Sequence, residues 1–239
     1  MMNKSIHEKV SSIDWQKVNE ELNEKGYSLI SQFLSTYACE GLVDIYEESN
    51  LYRKTITMER YRFGIGEYKY FKYPLPDLIQ TIRITVYPKL VPIANTWMSL
   101  LNLKRYFPEE FEELTRLCHQ NNQTKPTVLI LKYGKGGHNT LHQDLYGEIF
   151  FPFQLVVFLS ELGEDYTGGE FVLTQQIPRA QSKAIVLRPH KGDILIITTN
   201  FRPIKGSRGY YQAQMRHGVS EVHDGKRYAL GIIFHDALD

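Results

Sequence analysis

The sequence predicts an α+β fold in which helices pack outside one jelly-roll-like core of antiparallel strands. Before about residue 126 the apolar residues recur mainly with helical spacing, whereas after it short apolar runs alternate with Gly, Pro and Asp. Strands this short, with turns between them, are typical of an antiparallel sandwich or barrel rather than of a parallel sheet. We therefore expect a mainly helical region, residues 1–125, packed on a β core, residues 126–239, within one continuous domain.

The first predicted elements are a helix, a short strand and a second helix. Residues 14–25 have apolar side chains at helical spacing and end before Gly26, a residue that often terminates helices. Residues 27–30, YSLI, then form a strand. Ser35 is a typical N-cap residue and predicts a second helix, whose buried face would carry Cys39, Leu42, Val43 and Tyr46.

Prolines govern the prediction for the rest of the helical region. Residues 78–101 are apolar at helical spacing, but Pro88 and Pro92 are expected to start, bend or break helices there. The reason is that proline lacks a backbone N–H and clashes with the preceding turn. Pro108, followed by two glutamates, is expected in the first turn of another short helix that ends near Asn121.

Six strands are predicted in the β region. Each is a short run rich in aliphatic or aromatic residues and bounded by turn residues. They are residues 127–133, 153–160, 170–174, 184–187, 193–198 and 228–234.

The composition is that of an ordinary globular protein. The chain has 239 residues, 42% of them hydrophobic, and a net charge of +1, so no global field predicts a nucleic-acid or membrane partner. Its two cysteines, Cys39 and Cys118, form no paired motif, so neither a disulfide framework nor a Cys-rich zinc site is expected. The first residues lack the apolar run of a signal peptide, and no run approaches the length of a membrane span. We expect a soluble, cytoplasmic protein.

The sequence LHQDLYGE, between the first two predicted strands, contains a candidate metal-binding pair. His142 and Asp144 are two residues apart, so in an extended segment their side chains point to one face. His217, in the sequence RHGVSEV, is the candidate third ligand. Two His and one carboxylate on one face of a metal leave positions open for oxygen and a co-substrate, an arrangement that suits non-haem Fe(II) chemistry.

His217 is favoured over the other histidines by its neighbours in the sequence. It follows the metal pair, and Arg227, at the head of the apolar strand RYALGIIF, lies ten positions further on. Arginine presents a planar fork that matches a carboxylate and stays charged when buried, so Arg227 is the candidate partner of a dicarboxylate co-substrate. The remaining histidines are interpreted as surface or structural residues: His7, His119, His138, His190, His223 and His235.

The order H-x-D, a G-G-E-F turn at residues 168–171, His217 and Arg227 resembles that of the 2-oxoglutarate/Fe(II) oxygenase superfamily. The segments HQDLYGEIFFPFQ, TGGEFVLTQQIPRAQS, RHGVSEV and LGIIFHDA more closely resemble a bacterial family of nucleic-acid-modifying oxygenases. The likeness extends upstream through GEYKYFKYPLP and so covers most of the chain.

This resemblance implies a double-stranded β-helix that binds Fe(II) through the His-Asp-His group and the side-chain carboxylate of 2-oxoglutarate through Arg227. In prolyl-hydroxylase-like relatives, a tyrosine about ten residues before H-x-D helps to hold the co-substrate. Tyr133, nine residues before His142, fits that place. Gln154, on the strand after the metal pair, is a further candidate for co-substrate binding.

The implied reaction hydroxylates a C–H bond while O2 oxidises 2-oxoglutarate. When that C–H bond belongs to the N-methyl group of a damaged nucleobase, the result is an oxidative demethylation. Two alternatives stay open. The spacing to Arg227 is nearer to that of prolyl hydroxylases than to that of alkylated-base demethylases, which favours a hydroxylase of a protein side chain or a small metabolite. A non-catalytic metal-binding β-helix module is the other alternative. These motifs define neither the substrate nor the oligomeric state.

Two basic stretches with interleaved aromatic residues are candidate nucleic-acid contacts. One precedes His217 and carries Arg202, Arg208 and Tyr210, with Phe201, Lys205, Tyr211 and Arg216 around them. The other is RYRFGIGEYKYFKY, residues 60–73. The alternative is a solvated basic loop and a β-hairpin with ordinary aromatic packing.

Overall fold

The computed structural model describes residues 4–238 and contains helices at its N-terminal end and along one side of a β core. The helices are α1 (Ile6–Ser11), α2 (Trp15–Lys25), α3 (Thr36–Asp44), α4 (Asp77–Leu100) and α5 (Phe111–Gln120). Short 3-10 helices span Ile45–Glu47, Ser49–Leu51 and Met58–Tyr61. The strands are β1 (Tyr27–Ile30), β2 (Tyr52–Thr57), β3 (Gly64–Ile65), β4 (Glu67–Phe71), β5 (Leu129–Tyr133), β6 (His138–His142), β7 (Phe153–Phe158), β8 (Tyr166–Gly168), β9 (Phe171–Gln176), β10 (Lys183–Leu187), β11 (Ile194–Thr198), β12 (Phe201–Gly206), β13 (Gly209–Val219), β14 (Val222–Gly225) and β15 (Arg227–Ile233).

The strands form two main antiparallel sheets. The larger has seven strands in the order β1-β11-β7-β15-β5-β4-β2. The second has the order β10-β9-β13-β6-β3, with β12 paired to β13, and β14 and β8 form a separate pair. The six predicted strands are present as β5, β7, β9, β10, β11 and β15, with ends that differ by at most two residues. This architecture confirms the predicted α+β class with a jelly-roll core.

Strand β7 is buried on both faces, which explains its almost continuous apolar sequence FQLVVF. Leu155 and Val157 belong to the hydrophobic cluster formed with the helices. Val156 and Phe158 pack instead with residues of the second sheet. Because alternate residues of a strand point to opposite faces, Gln154 shares the face of Val156 and points into the space between the sheets.

The region before residue 126 contributes strands as well as helices. β1 pairs with β11 and β4 with β5 in the large sheet, while β3 pairs with β6 of the second sheet. Of these three strands, the sequence predicted β1. One hydrophobic cluster joins helix residues such as Val18 and Leu90 to strand residues such as Val157 and Leu230, so the helices cover one face of the large sheet. No helix among residues 4–238 has the length and apolarity needed to cross a membrane.

Helix α4 continues for 24 residues through both of its prolines. The prediction that Pro88 and Pro92 start or break helices is therefore wrong. Both prolines are exposed, one turn apart on the same side of the helix. The opposite side buries residues on either side of them, including Tyr87 and Trp97. Packing of this face stabilises the helix enough to offset the missing backbone hydrogen bonds, whose carbonyl acceptors lie on the side that water reaches.

Helix α5 begins later than predicted, because Pro108 lies outside it. The first helical residue is Phe111, and Glu110 is the N-cap. The carbonyl group of Pro108 instead accepts a hydrogen bond from the Tyr87 hydroxyl at 2.8 Å, which attaches the preceding loop to α4. The predicted end near Asn121 agrees with a C-cap at that residue.

The segment before His217 is a β-hairpin rather than the predicted loop. β12 pairs with β13 from Phe201↔Gln214 to Gly206↔Gly209. The turn between them contains Ser207 and Arg208, and Gly209 has a φ of 121°, which favours glycine. The basic and polar residues of this segment had obscured its strand character.

Candidate active site

The candidate metal ligands lie on neighbouring strands of the second sheet and on the segment that follows one of them. His217 on β13 is paired directly with His142, the last residue of β6. Directly opposite residues of antiparallel strands point to one face, and the two rings lie 4.3 Å apart between centroids. The register then shifts, so that Val219 pairs with Asn139. This β-bulge allows both Asn139 and His142 to line the space between the sheets.

Asp144 reaches the same point from the chain beyond β6. Its backbone N–H donates to the carbonyl oxygen of Thr199 at 3.3 Å. Its Oδ2 lies 3.2 Å from His217 Nε2, and its Oδ1 lies 3.7 Å from His142 Nε2. One ligand atom from each of these three side chains lies within 4.8 Å of the other two. The group could therefore hold a metal ion, and its two His and one carboxylate match the preference of non-haem Fe(II).

The imidazole of His142 is oriented as a neutral ligand. Burial, and then the electrostatic interaction with His217, lower the pKa of His142. Its Nδ1 lies 2.8 Å from the carbonyl oxygen of Thr140. Because a carbonyl group only accepts hydrogen bonds, Nδ1 carries the hydrogen and the lone pair of Nε2 points toward the metal-binding group.

The carboxylate of Asp144 is held by two further side chains. The Tyr146 hydroxyl donates to Oδ1 at 2.8 Å, and Gln154 Nε2 donates to Oδ2 at 2.8 Å. Burial would raise the pKa of Asp144, but the hydrogen bond and electrostatic interaction with His217, the electrostatic interaction with His142 and the hydrogen bond from Gln154 outweigh it and hold that pKa well below its usual range. Burial, followed by the charge of Asp144, raises the pKa of Tyr146, so its phenol remains a donor. Gln154, which was predicted to contact the co-substrate, is thus hydrogen-bonded to the carboxylate of Asp144.

The metal-binding group opens into a cavity of about 300 Å³ between the two sheets. Most of its wall is apolar or aromatic, and polar atoms are concentrated at a few positions, as in many small-molecule sites. The polar and aromatic lining residues are Phe63, Tyr68, Tyr70, Tyr133, Asn139, Thr140, His142, Gln143, Asp144, Tyr146, Gln154, Phe171, His217 and Arg227.

Arg227 is a buried cation without a carboxylate partner among residues 4–238. Only 1% of its surface is exposed, and neither Nε nor Nη2 has a hydrogen-bond partner within that range. Its guanidinium lies 5.5 Å from the ring centroid of Tyr133, 5.7 Å from that of Phe158 and 5.8 Å from that of Tyr166. Since an unpaired buried charge is strongly unfavourable, these free donors at the cavity wall indicate an anion-binding position.

Tyr133, the tyrosine nine residues before His142, lies beside this position. It is paired with Arg227 across β5 and β15. Its hydroxyl accepts a hydrogen bond from Asn139 Nδ2 at 3.3 Å, which leaves its own hydrogen for another acceptor. Burial raises the pKa of Tyr133 to about 12, so the phenol stays protonated and can donate to a carboxylate.

The structure does not bring the three predicted substrate residues to the cavity. Arg202 is buried, with Nε bound to Gln175 Oε1 at 2.9 Å and Nη1 bound to the carbonyl of Asn23 at 2.8 Å. It therefore links β12 to β9 and α2 rather than lining the cavity. Arg208 and Tyr210 are exposed at the turn of the β12–β13 hairpin, and neither lines the cavity.

The other basic and aromatic stretch does reach the cavity. Phe63, Tyr68 and Tyr70 line it, and the Tyr70 hydroxyl lies 3.3 Å from that of Tyr146. Sequence reasoning did not identify Tyr146 or Asn139 as site residues. The available signal for both was proximity to the metal pair, because Tyr146 is two residues beyond Asp144 and Asn139 is at the start of β6.

A two-sheet jelly roll whose cavity contains two His, one Asp and a buried Arg defines the class of 2-oxoglutarate- and iron-dependent oxygenases. The fold is similar to that of a Pseudomonas putida prolyl-4-hydroxylase, with a TM-score of 0.55 and 12% identity over 93% of this chain and 100% of that one. It is also similar to an oxidoreductase of the 2OG-Fe(II) oxygenase family from Burkholderia pseudomallei, with a TM-score of 0.52 and 14% identity over 95% of this chain and 93% of that one.

Residues 66–237 match the family described as "Oxygenase, catalysing oxidative methylation of damaged DNA", and the chain belongs to this family. An uncharacterized protein of Mycobacterium tuberculosis, strain H37Rv, is 45% identical over 167 residues, which are 70% of this chain and 72% of that protein. These findings confirm the predicted superfamily and an oxygenase as the class of enzyme.

Proposed function

We propose that this protein is an Fe(II)- and 2-oxoglutarate-dependent dioxygenase that oxidatively demethylates a damaged nucleobase. The observation that carries the oxygenase assignment is the buried Arg227, which has no carboxylate partner among residues 4–238 and lies in the wall of the same cavity as the His-Asp-His group. A metal site alone would not require such a cation. A dicarboxylate co-substrate would use both the metal site and the cation, because one of its ends can chelate a metal and the other can pair with a guanidinium.

His142, Asp144 and His217 would hold the iron. The neutral His142 and the ionised Asp144 are in the protonation states that metal ligation needs. Tyr146 and Gln154 occupy both carboxylate oxygens of Asp144 with hydrogen bonds and so orient it toward the two imidazoles. When bound, the iron supplies the activation of O2, and this chain supplies ligands, orientation and a cavity with a mainly apolar wall.

Arg227 and Tyr133 would bind the side-chain carboxylate of 2-oxoglutarate. Arg227 offers two unpartnered N–H groups, and Tyr133 offers a protonated hydroxyl on the neighbouring strand. Asn139 fixes the direction of that hydroxyl by donating to it.

The overall reaction consumes O2, 2-oxoglutarate and a C–H bond. One oxygen atom enters the new carboxylate of succinate as CO2 leaves, and the other becomes a hydroxyl group on the substrate carbon. Each of the two organic molecules loses two electrons, and O2 gains four. A hydroxymethyl group formed on a ring nitrogen then releases formaldehyde, which restores the N–H. Because the loss of formaldehyde removes the methyl group from the base, we propose demethylation, although the description of the family names methylation.

A protein side chain or a small metabolite is the alternative substrate. The observation in its favour is the similarity of the whole fold to prolyl-4-hydroxylase. The family assignment supports nucleic acid as the substrate instead.

We also propose a reducing, cytoplasmic location, because both cysteines are buried and free.

The test is succinate formation by the purified protein with Fe(II), 2-oxoglutarate and three substrate panels. The panels are methylated oligonucleotides, peptides and metabolites. We expect stimulation by the methylated oligonucleotides, with one formaldehyde released for each coupled succinate. Stimulation by peptides or metabolites alone would overturn the nucleobase substrate and leave the oxygenase assignment intact.

The assignment of the metal ligands is tested by His142→Ala and Asp144→Ala. Each variant should lose metal binding and succinate formation, because each removes one of only three protein ligands. His138→Ala is the matched control, since His138 lies on the same strand but outside the group. Substantial succinate formation by either ligand variant would refute the iron site.

A further inference from the structure

Two segments that contribute residues to the cavity wall carry a concentration of exposed apolar side chains, of which Phe63 itself lines the cavity. Two short segments, residues 61–65 and 141–145, hold five of the twelve large hydrophobic residues that are exposed among residues 4–238. The second segment contains the metal candidates His142 and Asp144. Exposed apolar residues are ordinary when scattered, but a cluster of them beside a cavity indicates a contact surface. The five are Tyr61, Phe63, Ile65, Leu141 and Leu145.

Backbone contacts hold the first segment against the metal-binding strand. The carbonyl of Phe63 accepts from the N–H of Thr140 at 2.9 Å and from its hydroxyl at 3.0 Å. β3 pairs with β6 through Gly64↔Asn139 and Ile65↔His138. The approach at Gly64 is so close that a Cβ there would collide with the carbonyl oxygen of His138. The Phe63 side chain is therefore presented at the cavity wall by a fixed backbone and not by a free loop.

Tyr61 and Phe63 form a stacked pair of rings at this position. Their centroids are 5.5 Å apart with an interplanar angle of 19°, and the residues are 53% and 44% exposed. Arg62 between them has a φ of 59°, the left-handed conformation that brings residues on either side of it to the same face. Two nearly parallel, exposed rings beside a catalytic cavity provide a surface for another flat ring.

Basic side chains accompany this pair. Arg60 and Arg62 lie in the same turn, both are exposed, and within residues 4–238 neither guanidinium forms a hydrogen bond or an ion pair. One acidic residue, Glu59, precedes them. Aromatic rings that alternate with unpaired arginines match the alternating bases and phosphates of a single strand. A peptide would supply neither the repeated flat rings nor the regularly spaced negative charges.

We propose that Tyr61 and Phe63 stack against a base of single-stranded nucleic acid that flanks the reacting nucleotide, and that Arg60 and Arg62 bind the adjacent phosphates. This inference rests on the proposed nucleobase substrate. A target base must leave a duplex stack, or lack one, before it can enter an enclosed cavity. A flanking base that stacks at the entrance would hold the strand while the target base is inside.

The stacking contact is tested by the affinity for a fluorescein-labelled, single-stranded oligonucleotide with one N-methylated base. Anisotropy is measured without O2, on protein loaded with Fe(II) and 2-oxoglutarate. We expect Phe63→Ala to raise the Kd roughly 5- to 150-fold, the range found when one stacked base loses its aromatic partner. Phe63→Trp keeps a ring and should keep the affinity near that of the unaltered protein. Tyr37→Ala and Tyr106→Ala, which remove exposed rings away from the cavity, are the matched controls and should leave the Kd unchanged.

The phosphate contacts are tested by the salt dependence of the same Kd. We use Arg60→Gln together with Arg62→Asn, because asparagine tolerates the left-handed conformation at position 62. Each lost phosphate contact should reduce the slope of log Kd against log salt concentration by about 0.7. The expected loss is about 1.4 for the double variant, and an unchanged slope would refute the phosphate contacts.

The outcomes separate this inference from the substrate proposal beneath it. If the unaltered protein binds and demethylates the oligonucleotide but Phe63→Ala binds it equally well, the stacking surface is refuted and the nucleobase substrate stands. If only duplex DNA binds, this inference is refuted and the nucleobase substrate stands. If only peptides bind, both are refuted. Oligonucleotide binding that weakens in Phe63→Ala, recovers in Phe63→Trp and is insensitive to the two controls supports it.

Discussion

Replacement of Arg227 by methionine should make the protein more stable while it abolishes binding of 2-oxoglutarate. In the absence of co-substrate this guanidinium is buried, with Nε and Nη2 unpartnered within residues 4–238. Methionine has a comparable length, adapts to irregular apolar surroundings and carries no charge. Arg227→Met therefore removes an unfavourable buried charge and keeps most of the packing against Tyr133, Phe158 and Tyr166.

The magnitude follows from the contacts of the side chain. Two buried, unsatisfied donors on a charged group cost roughly 2–6 kcal/mol together. Three cation–π contacts at 5.5–5.8 Å lie close to the limiting distance of about 6 Å and so return roughly 0.5–1 kcal/mol each, the low end of the range. The net gain in the free energy of unfolding on substitution is about 2 kcal/mol, which lies within the range measured when buried ions are replaced by apolar residues. For a chain of this size, that gain raises the Tm by about 4–8 °C.

The assay is thermal unfolding of both proteins with a bound divalent metal and increasing 2-oxoglutarate. A ligand that binds only the folded state adds about 2.7 kcal/mol of stability at one hundred times its Kd. The unaltered protein should therefore gain stability with 2-oxoglutarate, whereas Arg227→Met should start higher and show little further increase. The two curves should converge or cross as the concentration rises.

Arg202→Met is the matched control, because Arg202 is also a buried arginine but its N–H groups are bound to Gln175 and to the carbonyl of Asn23. Its replacement leaves those acceptors unpaired and should lower the Tm. If Arg227→Met lowers the Tm as Arg202→Met does, the guanidinium stabilises the fold in its own right. The assignment of Arg227 to a co-substrate anion would then lose its physical basis.

Three further predictions concern the ligand carboxylate and the buried polar groups behind it. Tyr146→Phe removes one hydrogen bond from Asp144 and should weaken metal binding about tenfold or more, measured by titration with Co(II). Arg83→Met leaves Asp236, its partner at 3.0 Å, without that cation and should lower the free energy of unfolding in urea by about 3–5 kcal/mol, whereas Arg83→Met combined with Asp236→Leu should recover much of the loss. Burial lowers the pKa of His235 to about 4, below the ordinary value of 6.5. The unfolded chain therefore binds the extra proton between those values, and stability should fall by about 3 kcal/mol as the pH drops from about 6.5 to 4, a dependence that His235→Gln should remove.

The metal-binding group was predictable because its chemistry constrains both residue type and order. A facial metal site needs two imidazoles and a carboxylate, and few positions in the chain offer them beside β strands. Arg227 was singled out by its position ten residues after His217, because an arginine at the head of an apolar strand is by itself usually an exposed end residue. The pairing His217↔His142 was not predictable, because β13 carries too many polar residues to be recognised as a strand and the register of β6 contains a bulge.

Tertiary packing overrode local sequence signals elsewhere. Pro88 and Pro92 were expected to interrupt a helix, but the buried face of α4 is continuous past both. The large sheet likewise includes β2 and β4, which combine charged and aromatic residues without clear alternation. In both cases, the partner that stabilises the segment lies far away in sequence and could not be inferred from its neighbours.

The two basic and aromatic stretches show why the substrate surface was harder to predict than the metal site. Both contain arginines near tyrosines, and the sequence predicts specific contact residues, Arg202, Arg208 and Tyr210, in the stretch before His217. In the structure, Arg202 is used to attach α2 to the sheets, whereas Phe63 reaches the cavity through β3, which pairs with the strand that carries His142. Composition alone does not distinguish these uses, because an arginine that binds a carbonyl group inside the protein and one that binds a phosphate outside have the same sequence signature. What distinguishes them is whether the guanidinium is already satisfied. By that criterion, and within residues 4–238, the guanidinium groups of Arg227, Arg60 and Arg62 keep donors that a ligand could use, whereas that of Arg202 is bound inside the protein.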